Sequence, residues 1–428
     1  MQIMKEVFFK LKWRIVRPQA LAAYSMLNEV PRPPEQALQR IVRHAMEHTR
    51  FYAEFYKAAG FHVNDIGSEG WFERLPVVTK AELRAHFEDM TDQSQKEFRK
   101  RSTTGGSTGE PTKTGYDRRI PEEIYSWRLQ ERWGVHPWDD HAYVWRDTRK
   151  SFKAKLMNAL MWWPTRHLKL DATFMTPESI EKFMRRCAVV RPKLLQGYVG
   201  AITQVAQWVV KGHREVLKGW SPKVVWTTSA PLSPVQRRLI ESAFGAPVCN
   251  EYGSCECRWL ASQVPGHPGL KVNTEHVFIE FVGEDNRAVK TGEYGRTLIT
   301  NLEDMVFPLI RYENGDRGRW LDYPFIDEVK GRESESFVLP SGMVINGEYL
   351  TTIFDAQPEL VHGFRVVQHK DLSITVECVP SAPETCGKIE TIVSDFGERL
   401  GGEVPVECKF VDTIPHDRGK LRFVVREK

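Results

Sequence analysis

The stretch PKLLQGYVGAITQVAQWVVKGHREVLKGWSPKVVWTTSAPLSPVQRRLIESAFGAPVCNEYGS, residues 192–254, decides the fold class of this chain. A strand and a helix over 192–213 are followed by a second buried strand, a second helix and a third strand that ends in a turn. Ser233 suits the N-cap of the second helix and Gly245 suits its end. Such alternation of strands and helices predicts a parallel sheet in an α/β domain.

The segments on either side of this stretch differ in composition. Residues 34–60 have the apolar spacing of one helix, and strand patterns dominate from 271 to 321. The last hundred residues combine several strand patterns with one helical pattern near 384–400. We therefore predict a large N-terminal domain with mixed α/β sheets, residues 1–331, and a small α+β domain, residues 332–428.

The composition of the chain excludes several classes of protein. Of its 428 residues, 41% are hydrophobic and 27% are charged, which is typical of a globular protein. The net charge of +4 is small for this length and forms no basic stripe, so we expect no nucleic-acid partner. The seven cysteines follow no disulfide spacing, which indicates a reducing compartment and a cytoplasmic location.

Two stretches combine basic and apolar side chains, MQIMKEVFFKLKWRIVRP at 1–18 and FKAKLMNALMWWP at 152–164. Neither reaches the roughly 20 apolar residues that cross a bilayer. Each could lie on a membrane surface, at the inner face of the cytoplasmic membrane. The favoured interpretation is an amphipathic helix that packs on the domain, because most helices with one apolar face bury it against their own core.

The motif STTGGSTGEPTKTG, residues 102–115, has the composition of an anion-binding loop. Glycine allows backbone N–H groups to turn towards an anion, and hydroxyl groups add further donors, so a polyphosphate is a suitable ligand. The motif is not a Walker A loop, because Glu110 and Pro111 follow Gly109 where that loop needs lysine. On composition alone a flexible surface loop explains it equally well.

Four later motifs carry chemistry of the same kind. In NEYGSCE, residues 250–256, an aromatic ring could lie on a base and a carboxylate could bind Mg²⁺. In PLIRYENGDRG, residues 308–318, Asp316 is predicted in a glycine-flanked turn, where its carboxylate could accept hydrogen bonds from a ribose diol. VKGRES at 329–334 and PHDRGKLRF at 415–423 add an arginine and a lysine.

The order and spacing of these five motifs resemble those of the adenylate-forming superfamily. Within it, the chain is most similar to the branch of phenylacetate–CoA ligase and the CapK-like proteins of capsular polysaccharide clusters. The resemblance covers nearly the whole chain and includes HTRFYAEFYKAAGF, LPVVTKAELR, PKLLQGYVGAI and HVFIEFV. It implies that the small C-terminal domain is mobile and closes over an active site in the cleft between the domains.

The resemblance also implies a role for residues in each motif. The phosphates of ATP would be held by Thr104, Gly106, Ser107, Thr108, Gly109 and Thr112. The rest of the nucleotide would be contacted by Ser229, Ala230, Tyr252, Gly253, Asp316 and Arg332. The acyl pocket would draw on Tyr198, Gly200 and Trp226. Glu256 would bind Mg²⁺, and Lys420 would contact the carboxylate oxygen and the α-phosphate during adenylation.

The reaction implied by the resemblance has two steps. A small carboxylic acid reacts with Mg·ATP to give acyl-AMP and pyrophosphate, and the acyl group then passes to a thiol or an amine. We favour coenzyme A as acceptor because thioesters are the commoner product in the superfamily; a CapK-like amide ligase is the alternative. A further alternative is a non-catalytic scaffold protein that binds a nucleotide.

The sequence departs from the family pattern at three positions. Gly105 stands where serine is usual, Pro231 follows Ser229 and Ala230 where glutamate is common, and Glu335 replaces the usual hinge aspartate. Glutamate preserves the acidic group at the hinge, whereas Pro231 weakens the expectation about how the adenine edge is bound.

Three other patterns were weighed against this interpretation. His44 and His48 match the zinc-binding pattern HxxEH, and His136 and Asp140 match the acyltransfer pattern HxxxD. Both matches are short and leave the five motifs unexplained. A zinc cluster could form from Cys249, Cys255, Cys257, His267 and His276. Their spacing is not CxxC, which favours buried structural cysteines.

Overall fold

The fold was analysed in a computed structural model. It describes residues 2–18, 20–21, 34–104, 112–121, 123–145, 152–172, 175–229, 232, 234–330, 337–341, 344–345, 350, 353–354, 357, 360–412, 414, 416–417, 420–421 and 424–427. Among these residues, no helix has both the length and the apolar character needed to cross a membrane.

The helices and strands are numbered along the chain. The α-helices are α1 Gln2–Val16, α2 Pro34–His48, α3 Arg50–Ala58, α4 Lys80–Ala85, α5 Glu123–Glu131, α6 Phe152–Trp162, α7 Pro177–Val190, α8 Val199–Trp208, α9 Pro234–Phe244 and α10 Cys386–Arg399. The strands up to the end of the predicted large domain are β1 Arg99–Thr104, β2 Thr112–Asp117, β3 His141–Trp145, β4 His167–Asp171, β5 Leu194–Tyr198, β6 Val224–Thr228, β7 Val248–Tyr252, β8 Ala261–Gln263, β9 Leu270–Val272, β10 Val277–Val282, β11 Gly295–Asn301, β12 Tyr312–Asp322 and β13 Phe325–Lys330. The remaining strands are β14 Phe337–Val338, β15 Val344–Ile345, β16 Val361–Gln368, β17 Ile374–Pro380, β18 Val406–Phe410, β19 His416–Asp417, β20 Lys420–Leu421 and β21 Val424–Arg426.

The largest element is a mixed sheet of eleven strands in the order β10-β11-β12-β13-β9-β8-β7-β6-β5-β3-β4. Neighbours from β4 to β7 are parallel, and neighbours from β7 to β10 are antiparallel. Strand β7 is therefore the boundary between the two halves. The predicted α/β fold with a mixed sheet is confirmed, and the carboxyl ends of the parallel strands are the edge where such sheets bind ligands.

The two ends of the sheet are covered by different groups of helices. Helices α7, α8 and α9 bury Met184, Val205 and Ile240 against the parallel strands. Helices α2 and α3 bury Ile41 and Tyr52 against apolar residues of the segment that follows β11. Each group thus supplies an apolar layer that fixes one half of the sheet.

Residues 34–60 form two helices where the sequence predicted one. The side chain of Thr49 accepts a hydrogen bond from the backbone N–H of Tyr52 and caps α3. Thr49 itself has an extended backbone conformation, which interrupts the helical path after α2. The apolar spacing continued across this break, so periodicity alone concealed the cap.

The C-terminal residues form a separate sheet in the order β18-β17-β16-β21. Helix α10 packs on it through Ile389, Val393 and Phe396, in a core shared with Val366 and Val376 of the strands. This is the predicted α+β composition. The proposed domain boundary at residue 331 lies outside the described residues and stays a prediction.

Arg311, the residue before β12, uses all five of its N–H donors in a buried position. It is 1% exposed, and its guanidinium forms two bonds of 3.1 Å to the carboxylate of Glu280 on β10. The remaining donors reach the backbone carbonyls of Glu73, Leu75 and Asn286. A single side chain therefore ties the N-terminal helical region and the antiparallel strands to the start of β12.

Replacing Arg311 by methionine is predicted to lower the free energy of unfolding by about 3–5 kcal/mol, because Glu280 remains buried without its partner. The double variant R311M/E280M should recover most of this loss. Urea unfolding measures both. Arg319→Met is a matched control on β12, the strand that follows Arg311, since the ion pair of Arg319 with Asp327 is about one-third exposed and is expected to contribute at most about 1 kcal/mol. Equal losses for R311M and R319M would contradict the prediction.

Candidate active site

A cavity of about 1920 Å³ lies along the carboxyl ends of β6 and β7. Its wall includes Thr228 and Ser229 after β6, and Gly253 and Ser254 after β7. The motif NEYGSCE, residues 250–256, lies at the end of β7. The position agrees with the general location of ligand sites in α/β sheets.

Two predicted nucleotide-binding residues, 64 positions apart in sequence, are joined by a hydrogen bond. The Tyr252 hydroxyl donates to Asp316 Oδ2 at 2.8 Å. The Asn314 amide donates at 2.7 Å both to the Tyr252 hydroxyl and to the same carboxylate oxygen. Burial, reinforced by the charge of Asp316, raises the pKa of Tyr252 well above its usual value, so the hydroxyl remains a donor. The two motifs therefore form one rigid polar group.

Asp316 lies on strand β12, and the predicted glycine-flanked turn is corrected here. Leu298 pairs with Glu313 and Arg296 pairs with Arg317, so one residue of β11 faces three residues of β12 between those pairs. Gly315 has φ +92° in this bulge. Bulges redirect side chains next to functional sites, and this one presents Asp316 to Tyr252. Glycines within a strand misled the sequence analysis because they also mark turns.

Glu256, the predicted Mg²⁺ ligand, is half-buried and accepts a hydrogen bond of 3.1 Å from the Tyr312 hydroxyl through Oε1. Tyr312 begins β12, the strand that carries Asp316. Mg²⁺ in nucleotide sites is usually held by one or two carboxylates together with substrate phosphates. A single carboxylate oriented by a hydroxyl group fits that role.

The two ends of the predicted phosphate-binding motif lie on the antiparallel strands β1 and β2, where Thr104 pairs with Thr112. The backbones of both threonines are described, but their side chains are not. Gly106, Ser107, Thr108 and Gly109 lie outside the described residues, as do Ala230 and Arg332. Ser229 is exposed and has φ +73°, a left-handed conformation that is costly for serine and is concentrated at functional sites.

The three candidates for the acyl pocket lie near the cavity without lining it. Trp226 is fully buried, and its indole N–H donates to Glu251 Oε2 at 2.6 Å. Tyr198 packs on Trp145 with ring centroids 4.3 Å apart. Gly200 is exposed at the start of α8. The residues that line the cavity near them are Gln196 on β5 and Thr228 at the end of β6, each two positions away in sequence from Tyr198 and Trp226 respectively.

The sequence analysis missed the polar residues that do line this part of the cavity. They are Gln130 on α5, Gln196 on β5 and Glu251 on β7, all at most 8% exposed. Burial raises the pKa of Glu251 to about 7. Glu251 could have been predicted as a site residue, because it is a carboxylate in a strand whose other residues are mostly apolar. The sequence offers no such signal for the two glutamines, since glutamine is mostly found on protein surfaces.

Comparison with known proteins shows which domains and folds this chain is similar to. The CapK C-terminal domain model matches residues 337–427. Protein CapK of Staphylococcus aureus is 22% identical over 448 residues, covering 98% of this chain and 94% of that protein. The crystal structure of 2-hydroxyisobutyryl-CoA ligase in complex with 2-HIB-AMP and CoA in the thioesterification state superposes with a TM-score of 0.64 at 20% identity, covering 92% of this chain and 89% of the other. The same ligase with R3-HIB-AMP in the postadenylation state gives a TM-score of 0.60 at 19% identity, with the same coverage.

The chain has the adenylate-forming fold and a CapK C-terminal domain. The expected resemblance to CapK-like adenylate-forming proteins is thereby confirmed. The CapK C-terminal domain includes Lys420, whose backbone lies on β20 and pairs with Asp417 of β19. The side chain of Lys420 lies outside the described part of the chain.

The cysteines and histidines weighed for zinc are separated in this adenylate-forming fold. Cys257 Sγ lies 3.9 Å from His276 Nε2, whereas Cys249 contacts the backbone carbonyl of Gln263 and His267 stacks on Phe325. Burial raises the pKa of Cys257 and lowers that of His276 to about 4. Within the described residues, no three histidine, cysteine or acidic side chains are grouped closely enough to hold a metal.

The two short histidine patterns have structural explanations. His44 binds the carbonyl of Met305 at 2.8 Å and stacks on His48, as part of the contact between α2 and the loop after β11. His136 stacks on Trp138, and Asp140 forms an ion pair with Lys5. Each pattern therefore joins elements of the fold, and neither pair is arranged for shared catalysis.

The raised pKa of Glu251 predicts a pH dependence of stability. The folded state binds the Glu251 proton more tightly than the unfolded chain, whose ordinary value is 4.5. The stabilisation is therefore complete below about pH 4.5 and is lost as the pH rises through about 7. At roughly 1.4 kcal/mol per pKa unit, the wild type should lose on the order of 3 kcal/mol relative to Glu251→Gln across this range.

Urea unfolding of the wild type and E251Q at intervals from about pH 5 to about pH 8 tests this prediction. Trp226→Phe is the informative comparison, because it removes the donor that opposes the rise in the pKa of Glu251. In W226F the loss of folding stability should occur at a higher pH than in the wild type. If the free energies of unfolding of the wild type and E251Q differ by the same amount at every pH, the raised pKa of Glu251 is refuted.

Proposed function

We propose that this protein is an ATP-dependent ligase that forms an acyl-adenylate and transfers the acyl group to coenzyme A. The observation that carries the proposal is the hydrogen-bonded group of Tyr252, Asn314 and Asp316 beside a large cavity at the boundary strand β7. It unites residues of NEYGSCE and PLIRYENGDRG, to which the resemblance assigns contacts with the nucleotide. The fold shared with 2-hydroxyisobutyryl-CoA ligase supports it.

The nucleotide is proposed to bind across the carboxyl ends of β6 and β7. The ring of Tyr252 would lie against adenine, with Gly253 allowing close backbone approach, while Asp316 would accept hydrogen bonds from the ribose hydroxyls. Ser229, Ala230 and Arg332 would complete the contacts to base, ribose or phosphate. The hydrogen bond between Tyr252 and Asp316 supports this arrangement, because it fixes the base and ribose contacts relative to each other.

The phosphates are proposed to bind at Thr104 and Thr112, which pair on β1 and β2, and at Gly106, Ser107, Thr108 and Gly109 between them in sequence. Glu256 would hold Mg²⁺, which neutralises phosphate charge during transfer. In the first step the carboxylate oxygen of the substrate bonds to the α-phosphorus and the bond to pyrophosphate breaks. Lys420 would reduce the repulsion between these anions where charge develops.

In the second step a thiol of coenzyme A attacks the acyl carbon, AMP leaves, and a proton is released from the thiol. Among the described residues that line the cavity, nine are basic and four are acidic. The basic residues are Arg17, Lys100, Arg118, Arg166, Lys169, Lys182, Arg185, Arg186 and Arg258, and the acidic ones are Glu123, Glu178, Glu181 and Glu251. This excess favours an acceptor with phosphate groups, such as coenzyme A. An amine acceptor is the second candidate, as the alternative that the resemblance to CapK-like proteins implies.

Pyrophosphate release from Mg·ATP, measured across aryl, aliphatic and amino acids with and without coenzyme A, tests the proposal. Release that depends on one class of acid supports adenylation. Coenzyme A consumption then identifies the thioester, whereas turnover only with added amines identifies an amide ligase. Absence of release with every acid, from protein that binds ATP, would favour the non-catalytic scaffold.

Replacing Lys420 by alanine is predicted to lower adenylation by several orders of magnitude while ATP binding persists. The physical reason is that the lysine acts on charge that develops only in the transition state. Lys409→Ala is the matched control, since Lys409 lies on β18 of the same small domain and its side chain is 64% exposed. Pyrophosphate release and equilibrium ATP binding are measured for both variants. Unchanged turnover in K420A would refute the role of Lys420.

A further inference from the structure

We infer that the acid bound in this cavity carries an ammonium group, and that Glu251 binds it. This inference rests on the proposed adenylation and names the class of acid that the reaction uses. It starts from the position of Glu251, which lies on β7 one residue before Tyr252 and lines the cavity. The residue is 8% exposed, so its carboxylate is almost fully removed from solvent.

One oxygen of this carboxylate is used and the other faces a space without a side chain. Oε2 accepts the hydrogen bond from Trp226, while Oε1 has no partner within the described residues. A Cβ on Gly253 would lie 3.2 Å from Oε1, so glycine keeps the space beside this oxygen open. A buried carboxylate without a cation is costly, and a ligand that supplies the charge recovers that cost.

A second buried acceptor belongs to a residue that lines the cavity. Gln130 is 3% exposed, and its Oε1 has no hydrogen-bond partner, while its Nε2 lies 3.5 Å from Gln196 Oε1. Buried polar atoms are almost always satisfied in native proteins, so this acceptor marks an incomplete polar network next to the cavity. The oxygen that a ligand would meet is Glu251 Oε1, and an ammonium group would supply it with N–H donors and a positive charge.

Pairs of acids that differ only by an amino group test the inference through their kcat/KM for pyrophosphate release. The wild type should prefer the amino member of at least one pair by more than about tenfold, because a site with unpaired polar groups rejects the analogue that lacks the donor. Glu251→Gln should lose most of that preference and retain turnover of the neutral member. That retained turnover shows that the variant is folded.

A wild type that uses neutral or hydroxy acids as well as amino acids would overturn the inference and leave adenylation intact. An unchanged preference in E251Q would do the same. Absence of pyrophosphate release with every acid would instead remove the proposed function, and this inference with it.

A second, independent observation concerns the surface formed by α1 and α6. Helix α1 has two apolar faces. Phe9 and Trp13 are buried against Trp127 and Trp138. The opposite face carries the apolar set that the sequence analysis expected to pack, and it is exposed: Ile3, Met4, Val7, Phe8, Leu11 and Ile15. At 100° per residue these six side chains span an arc of about 140°.

Helix α6 extends this apolar face. Leu156, Met157, Leu160, Met161 and the following Trp163 are exposed, and Trp163 contacts Phe8 with ring centroids 5.9 Å apart. Lys12 of α1 donates to the backbone carbonyls of Leu160, Met161 and Trp163, which holds the two helices together. We define the docking face as these exposed residues of α1 and α6 together with Val16 and Trp163.

The docking face concentrates the exposed apolar side chains of the molecule. Of the seventeen large hydrophobic residues exposed in the described part of the chain, twelve belong to it. Single exposed apolar residues are common on protein surfaces, but a contiguous group of this size marks an interaction site.

Charge identifies the occupant of the docking face as an anionic bilayer. Helices α1 and α6 carry six basic residues and one acidic residue, Glu6. Lys10 lies at one margin of the exposed apolar arc of α1, where it pairs with Glu6, and Lys12 lies at the other margin, in the contact with α6. Apolar side chains flanked by lysine and arginine are typical of helices that lie in the interface of anionic membranes. The geometry points to a docking face that binds the surface of a bilayer rich in anionic lipid.

The docking face also adjoins the candidate active site. Asn158, Ala159, Trp162 and Trp163 of the α6 region line the cavity, as does Arg17 after α1. Trp163 belongs to both surfaces. Membrane docking would therefore bring one wall of the cavity to the lipid headgroups.

Vesicle flotation of the full chain tests membrane docking without any measurement of activity. The wild type should float with vesicles of phosphatidylglycerol and phosphatidylcholine and much less with phosphatidylcholine alone. The double variant Leu11→Glu/Leu160→Glu should lose at least about tenfold in binding. Val210→Glu/Leu321→Glu is the matched control, since both residues are exposed and lie outside the docking face. Its binding should equal that of the wild type.

Three results would overturn membrane docking. The wild type could fail to float with anionic vesicles, or L11E/L160E could float as well as the wild type. Alternatively, sedimentation could show a wild-type dimer that L11E/L160E abolishes without any effect on vesicles, in which case a second copy of the chain covers the face. Thermal unfolding of both double variants verifies that the exposed substitutions leave the fold intact.

Discussion

The buried guanidinium of Arg311 is the interaction on which the arrangement of the site depends. It joins Glu280 on β10 to the carbonyls of Glu73 and Leu75 at the edge of the N-terminal helical region. The next residue begins β12, which carries Tyr312, Asn314 and Asp316. Burial of a charge requires that its partners be fixed in place, so the cost of burying Arg311 also sets where β12 starts. The bulge that presents Asp316 lies in the same strand, at Gly315.

The mixed pairing of the boundary strand β7 explains why residues with different proposed roles lie together at its carboxyl end. It pairs in parallel with β6 and in antiparallel with β8, so its carboxyl end faces helices of one half of the sheet and strands of the other. Residues 251–256 therefore contact both halves: Glu251 reaches Trp226 of β6, and Tyr252 reaches Asp316 of β12. Neither half alone contains both a cavity wall and the polar group that would hold a nucleotide.

Local patterns in the sequence predicted most of the fold, and they failed where distant contacts decide. The strands and helices over 192–254 were found because apolar periodicity and end signals such as Gly245 are local. The break at Thr49 and the bulge at Gly315 were missed because the local sequence at each position is compatible with more than one backbone conformation. Arg311 and Gln130 were missed because their burial depends on partners far away in sequence. The motifs predicted that Tyr252 and Asp316 serve one ligand, but not that they bond to each other.

The two-faced character of α1 has a consequence for the order of events during synthesis. Phe9 and Trp13 emerge from the ribosome more than a hundred residues before Trp127 and Trp138, which cover them in the folded chain. Throughout that interval the nascent helix exposes apolar side chains on both sides and has no partner of its own. Transiently exposed apolar surface is what drives misassociation of growing chains. If the docking face binds lipid as proposed, a nearby membrane would shelter the N-terminal segment during translation.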